Sequence, residues 1–355
     1  MGKKRYGYLD FLKIAATLPI LFMHYQQMME VVYPTGMNYS GGSFNWGNVV
    51  EFFFVISGFV MYPVTLKILS GEESCFEKFM LKRLRRFAPM MFVTALCYEI
   101  ISYILVFRFG DQSKWCCISI WGIVQRTLCL DSGWGMLPMT LNVPTWYICE
   151  LMFCYVLMYF AARLCGKHGK SPVTVYAALI ILGVAVNTRN IDLPLLTSEM
   201  GRGYSAFFTG VILAGLFDRY EMHGVVQLGF SVIIIALTVS GFIIDTASVT
   251  FLLCPALIIL FSAPHIERLF SGRFWTTLGK IQFHVYIWHA VILLGMRLLG
   301  WMGFTPDYNS RLMMYAFAVL AELWGAFSYF VIEKRAEKAL LMLIPKKKEK
   351  TAETC

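Results

Sequence analysis

Apolar runs of about twenty residues recur along this chain, and their recurrence limits the fold more than any other feature. A helix needs about 20 apolar residues to cross the hydrocarbon core of a bilayer. Runs of that kind fall at about 9–31, 48–69, 88–107, 143–164 and 173–190, then at about 204–219, 225–243, 248–264, 281–301 and 311–331. Lipid offers no partner to a free backbone N–H or C=O, so such segments must satisfy themselves as helices. Composition agrees, with 58% hydrophobic and only 15% charged residues in 355. Soluble domains carry about 25% charged residues, and the mean hydropathy here is +0.62. The expected fold is an all-α polytopic membrane protein, a bundle of about ten transmembrane helices.

Charge orients that bundle. The net charge of +9 suits anionic lipid rather than nucleic acid, because Lys and Arg collect on the cytoplasmic side of membrane proteins. Most of the 31 Lys and Arg lie in the N-tail, in Lys67–Arg86, at Lys167, Lys170, Arg219, Arg268, Arg273 and Lys280, and beyond Glu333. An even number of spans then places both termini inside. Outer loops hold few, chiefly Arg108, Lys114, Arg126, Arg189 and Arg202. The N-terminal run is too long for a cleaved signal and lacks a small-residue cleavage site, so it is expected to stay as the first helix. The membrane domain is expected over 1–333, with a short basic cytoplasmic tail over 334–355. In the outer connection, SIWGIVQRTLCL is amphipathic and reads as a re-entrant or interfacial helix, or as a lid. The ten cysteines show no zinc or redox spacing, and no metal site is expected. Cys116, Cys117 and Cys129 leave an outer-loop disulfide open, and Cys355 does not end a prenylation box.

Ionisable residues inside these runs are the candidates for chemistry. The first, YLDFLKIAATLPILFMHYQQMME, carries Asp10, Lys13 and His24. Eleven helical residues separate Lys13 from His24 by about 16 Å and about 20° of rotation, so all three share one face. Such residues usually face a bundle interior or a wet cavity, and His suits proton transfer near neutral pH. A packed His with a snorkelling Lys fits equally. The second span reads EFFFVISGFVMY, where Glu51 offers a carboxylate and Ser57-Gly58 permits close helix packing or a direct role. FMLKRLRRFAPM clusters Arg83, Arg85 and Arg86, guanidiniums able to fork phosphate or to act as plain inner-side anchors. NVPTWYICELMF sets Glu150 in an apolar helix, where it needs a polar partner. IQFHVYIWHAVILL holds His284, Tyr286 and His289. The two histidines lie about 140° apart on a helix, which argues against a two-His metal site, and His289 is deeper in its span. YFVIEKR ends the tenth run with Glu333 beside Lys334 and Arg335.

The order of these pieces carries a resemblance. YLDFLKIAATLPILFMH, EFFFVISGF, FMLKRLRRFAP, NVPTWYICE, YIWH and VIEK, taken together over nearly the whole chain, resemble the acyltransferase-3 family of integral membrane O-acyltransferases. The family's first-helix pattern is Arg, ten residues, His; here Lys13 stands in the Arg place before His24. Gln282-Phe283 replaces a usual Ser-Tyr, and Lys334 a usual Pro. The resemblance implies transfer of an acyl group, commonly acetyl, from cytoplasmic acyl-CoA as co-substrate to a hydroxyl of a cell-surface or exported carbohydrate. No cofactor would be bound permanently. It implies a multi-pass protein of a bacterial inner membrane. His24 would be the base or transient acyl carrier, with Lys13, Asp10 and Glu150 about it, and Arg83, Arg85 and Arg86 would hold the donor. Glu51, Ser57, Tyr286, His289 and Glu333 complete the candidate set. The rival is a transporter or proton-coupled carrier; the Arg cluster and the lack of an internal repeat favour the enzyme.

Overall fold

The computed structural model describes residues 6–130, 142–191, 193–220, 224–240 and 245–343. The lysine-rich end of the C-tail and Asp131 of the outer connection lie outside that set. The described chain is helical, with one isolated bridge between Leu193 and Leu196. Its helices are α1 Gly7–Met29, α2 Val50–Leu69, α3 Phe76–Phe109, α4 Ile120–Thr127, α5 Trp146–Lys167, α6 Val173–Thr188 and α7 Ser198–Arg219. Then come α8 Gly224–Val239, α9 Thr246–Ser248, α10 Cys254–Phe261, α11 Pro264–Phe270, α12 Arg273–Trp301, α13 Arg311–Phe327 and α14 Glu333–Leu343. Two π-helical turns, Val249–Leu253 and Ser328–Ile332, join α9 to α10 and α13 to α14.

Among the described residues, five helical stretches are long and apolar enough to cross a membrane: Trp46–Leu69, Phe76–Phe109, Trp146–Lys167, Arg273–Trp301 and Arg311–Ala336. A sixth is gained if Thr246–Phe261 and Pro264–Phe270, which meet at 82°, form one bent span. The first helix, central to the sequence reading, is not among them, since Asp10, Lys13, His24 and two glutamines dilute its apolar residues.

Helix ends define two poles. Gly7 of α1 packs against Phe270 and Ser271, just before α12, while the Tyr25 hydroxyl donates to Tyr308 O, just after it. The two helices therefore run the same way. Helices α2 and α7 also run together, from Glu51 beside Arg202 to Tyr62 beside Asp218. Their crossing is close because Gly58 and Gly210 face backbone: a Cβ at Gly58 would sit 1.9 Å from Phe207 O, and one at Gly210 2.0 Å from Val55 O. Apolar burial drives little association in lipid, and small residues that let backbones touch do that work instead. Outward, Phe107, Ile181, Val225, Leu312 and Leu323 are exposed, as lipid-facing side chains are.

The basic segment departs from its expected place. Residues 76–87 are not a loop before a span starting at 88 but the opening turns of α3, 34 residues long and about 51 Å at 1.5 Å per residue. Pro89 removes only one helical N–H, and the Lys, Leu and Arg around it are good helix formers. Gly110, in the left-handed region at φ 71°, ends the helix. The amphipathic piece forms α4, capped by Ser119, whose hydroxyl accepts from Gly122 N–H at 2.9 Å. Ile120 and Trp121 are exposed on it while Arg126 is buried, so that arginine is no solvated loop charge. Arg202 is not an outer-loop charge either: it lies inside α7 against Glu51. Cys116, Cys117 and Cys129 are free thiols.

Candidate functional site

Two polar centres stand apart, one between α1 and α12 and one on α3. The upper one joins α1 and α12 through His24 and His289, whose ring centroids are 5.1 Å apart at 38°. His289 is fully buried, and its Nδ1 lies 2.6 Å from Tyr286 O. A carbonyl only accepts, so Nδ1 carries the hydrogen, and the lone pair of the neutral ring is at Nε2. Among the described residues, Nε2 of His289 and Nδ1 of His24 are both buried with no protein hydrogen-bond partner. Two bare ring nitrogens on facing rings are costly for packing alone and suit a group that must take up and return a proton.

An aromatic and ionic network extends from Tyr286, which touches this pair. Tyr286 packs against His289 with centroids 5.7 Å apart and donates to Pro144 O. Tyr147 stacks edge-on to Tyr286, pairs its hydroxyl with Ser57 Oγ at 2.9 Å and reaches Phe53 O at 3.2 Å. Ser57 thus holds Tyr147, and its neighbour Gly58 does the helix packing. Glu51 is fully buried and takes Arg202 in a fork, with Nε at 2.5 Å from Oε1 and Nη2 at 2.9 Å from Oε2. Glu150, 0% exposed, lies within electrostatic reach of Arg202 and Tyr286. Arg126 donates to Thr145 Oγ1 at 2.9 Å, and Asn142 to Ile287 O at 2.9 Å, tying the segment before α5 onto α12.

Asp10 and Lys13 do not join this centre. They pair with each other at 3.3 Å one pole away, since Lys13 is about 16 Å along α1 from His24.

The lower centre is a cavity of about 550 Å³ lined by Lys78, Leu81, Lys82, Arg85, Arg86, Pro89, Met90 and Glu333. Helix α3 supplies all but the last. Arg85 and Arg86 face it; Arg83 turns away. Its guanidinium lies 3.5 Å over the Phe79 ring and donates to Phe79 O at 2.6 Å, near Tyr155. The three arginines are therefore not one cluster. Glu333 is not paired with Lys334 or Arg335 but with His284 Nε2, at 3.4 Å. His284 and His289 are five residues apart, about 7.5 Å along α12, so one helix connects cavity and histidine pair.

Sequence reasoning singled out His24 and His289 separately and did not pair them. It places Arg202 in an outer loop and Tyr147 near the outer entrance of a span, and gives neither them nor His284 their partners. Their only signal is a polar residue in an apolar run, which does not name its partner.

The arrangement is that of a helical membrane protein with a facing histidine pair and, apart from it, a basic cavity. The family model described as an acyltransferase domain, acyltransferase-3, matches residues 6–331. The chain therefore belongs to that family and is a membrane acyltransferase. No curated protein and no solved structure matches the chain.

Proposed function

We propose that the chain transfers an acyl group, acetyl first among them, from acyl-CoA in the basic cavity to a hydroxyl of an exported or cell-surface carbohydrate. The observation that carries this reading is the facing His24–His289 pair with its two bare ring nitrogens, joined to that cavity by α12. Arg85, Arg86, Lys78 and Lys82 are exposed cations on one helix, and such groups bind phosphate oxygens through charge-assisted hydrogen bonds.

In the reaction, the acceptor oxygen attacks the thioester carbonyl carbon as its proton passes to a bare imidazole nitrogen. The carbon–sulfur bond then breaks, and the leaving thiolate takes a proton back. Base help of this kind contributes about a hundred- to ten-thousand-fold. Tyr286, Tyr147 and the Glu51–Arg202 pair hold the walls about the histidines. Their buried, satisfied hydrogen bonds keep the acceptor side rigid.

The parallel runs of α1 with α12 and of α2 with α7, and the basic pole, support ten spans with both termini inside. The bacterial inner membrane is the location this reading carries. The test is purified protein in lipid given labelled acetyl-CoA with and without polysaccharide acceptor. Acceptor-dependent release of free CoA and acylated glycan is expected. A protein that moves a solute and never releases CoA contradicts it.

A further inference from the structure

Among the described residues, Glu333 is the one carboxylate lining the cavity, against four cations, Lys78, Lys82, Arg85 and Arg86. Left to itself, it would fold onto them and cancel charge that phosphate needs. Among the described residues its ion pair is instead with His284.

The reason lies in the π-helical turn Ser328–Ile332. There the Glu333 N–H donates to Ser328 O, five residues back. An i→i+5 turn stacks those two residues on one face, so both reach the same imidazole. His284 Nδ1 is 2.9 Å from Ser328 Oγ, and Trp288 Nε1 donates to the same oxygen at 2.8 Å. An indole N–H can only donate. Ser328 accepts from Trp288, and in the neutral ring with its hydrogen on Nε2, the nitrogen 3.4 Å from Glu333 Oε2, the Ser328 hydroxyl donates to Nδ1. All donors in the row Trp288, Ser328, His284 point toward the carboxylate. His284 and Ser328 are 1% and 0% exposed, so the row is fixed by packing.

We propose that His284 is a positioning residue that holds Glu333 off Arg85, Arg86 and their neighbouring lysines, keeping those cations free for the phosphates of the CoA donor. The inference rests on the donor reading above and concerns affinity for CoA, not the transfer step.

The experiment measures CoA binding to the purified full chain by calorimetry. His284→Asn, whose side chain is too short to reach Glu333, is expected to weaken binding about tenfold, the loss of one charge-assisted phosphate contact. His284→Gln restores an N–H near the Nε2 position and is expected to bind within about threefold of wild type. Adding Glu333→Gln to His284→Asn removes the competing charge and is expected to bring affinity back. Ser328→Ala, a smaller change, is expected to weaken binding in the same direction and to be rescued in the same way. A packing role for His284 gives no rescue by Glu333→Gln. Unchanged affinity in His284→Asn, or a loss that Glu333→Gln leaves in place, overturns the inference while the donor reading stands. A wild-type chain that does not bind CoA overturns both.

Discussion

The upper and lower centres treat charge in opposite ways. Near the histidines, large ionic and phenolic groups are matched by protein: Glu51 by Arg202, Tyr147 by Ser57, Tyr286 by Pro144. Among the described residues, one nitrogen on each of the two facing imidazoles has no protein hydrogen-bond partner there, and neither does the Asn142 amide oxygen. At the lower centre four cations face open space and the single carboxylate is tied back. The difference teaches that burial in lipid forces pairing where no substrate supplies it, whereas a pole in contact with water can hold charge in reserve for a ligand.

The comparison breaks first at His289. If its bare Nε2 takes part in proton transfer, His289→Asn loses about a hundred- to ten-thousand-fold in rate. CoA affinity stays within about twofold. A fall in affinity as large as the fall in rate would merge the two centres into one.

Next is Glu51, whose pair is internal. Glu51→Ala leaves the Arg202 guanidinium, 19% exposed, without its carboxylate, which costs up to about 3 kcal/mol and lowers the thermal midpoint in detergent. The double change Glu51→Leu with Arg202→Met recovers most of that stability, because well-packed apolar residues can replace a buried ion pair. A single change without thermal effect would show the pair to be dispensable.

The lower cations act in the other direction. Arg85→Ala or Arg86→Ala leaves folding intact, because both side chains are exposed. It weakens CoA binding about tenfold, the loss of a charged hydrogen bond of about 1.5 kcal/mol. Lys at either place restores part of it. Calorimetry at low and high salt checks this, since exposed charges are screened.

The smallest effect is expected at Asp111, in the loop after α3. Burial pushes its carboxyl up, but hydrogen bonds from Arg297, Ser113 N–H and Trp301 outweigh that and hold it below the usual carboxylate value. A depressed value means the stabilisation is present above the unfolded value of about 3.9 and is lost as pH falls through the folded one. Asp111→Asn should cost about 1 kcal/mol at pH 7 and flatten the acid limb of the stability profile. An unchanged limb below about pH 4 would assign it to other carboxylates.

Much of the helical layout is legible in the sequence because lipid demands unbroken apolar helices, and runs such as 143–164 and 281–301 answer that demand directly. Their ends are less so: Lys82, Arg85 and Arg86 look like loop charges, yet α3 carries them as helix. Arg126 and Arg202 were equally opaque. Counting charge assigns them to an outer loop, and only the fold reveals Thr145 for one and Glu51, 151 residues away, for the other. The first-helix histidine announced itself as an ionisable residue among apolar ones. Its partner His289 and the row from Trp288 to Glu333 depend on the contact of α1 with α12 and on a π turn, neither of which leaves a local pattern.

The central claim is that His24 moves the acceptor's proton while the basic cavity holds the donor. It is tested most directly by the acyl-transfer rate of His24→Asn in lipid, normalised to folded protein and measured beside CoA affinity. Asn keeps a hydrogen-bonding group but cannot take and return a proton near pH 7. A rate at least a hundredfold lower, with CoA affinity unchanged, is the predicted result. A variant that keeps more than about a tenth of the rate contradicts the account, since that loss is smaller than removal of a general base gives.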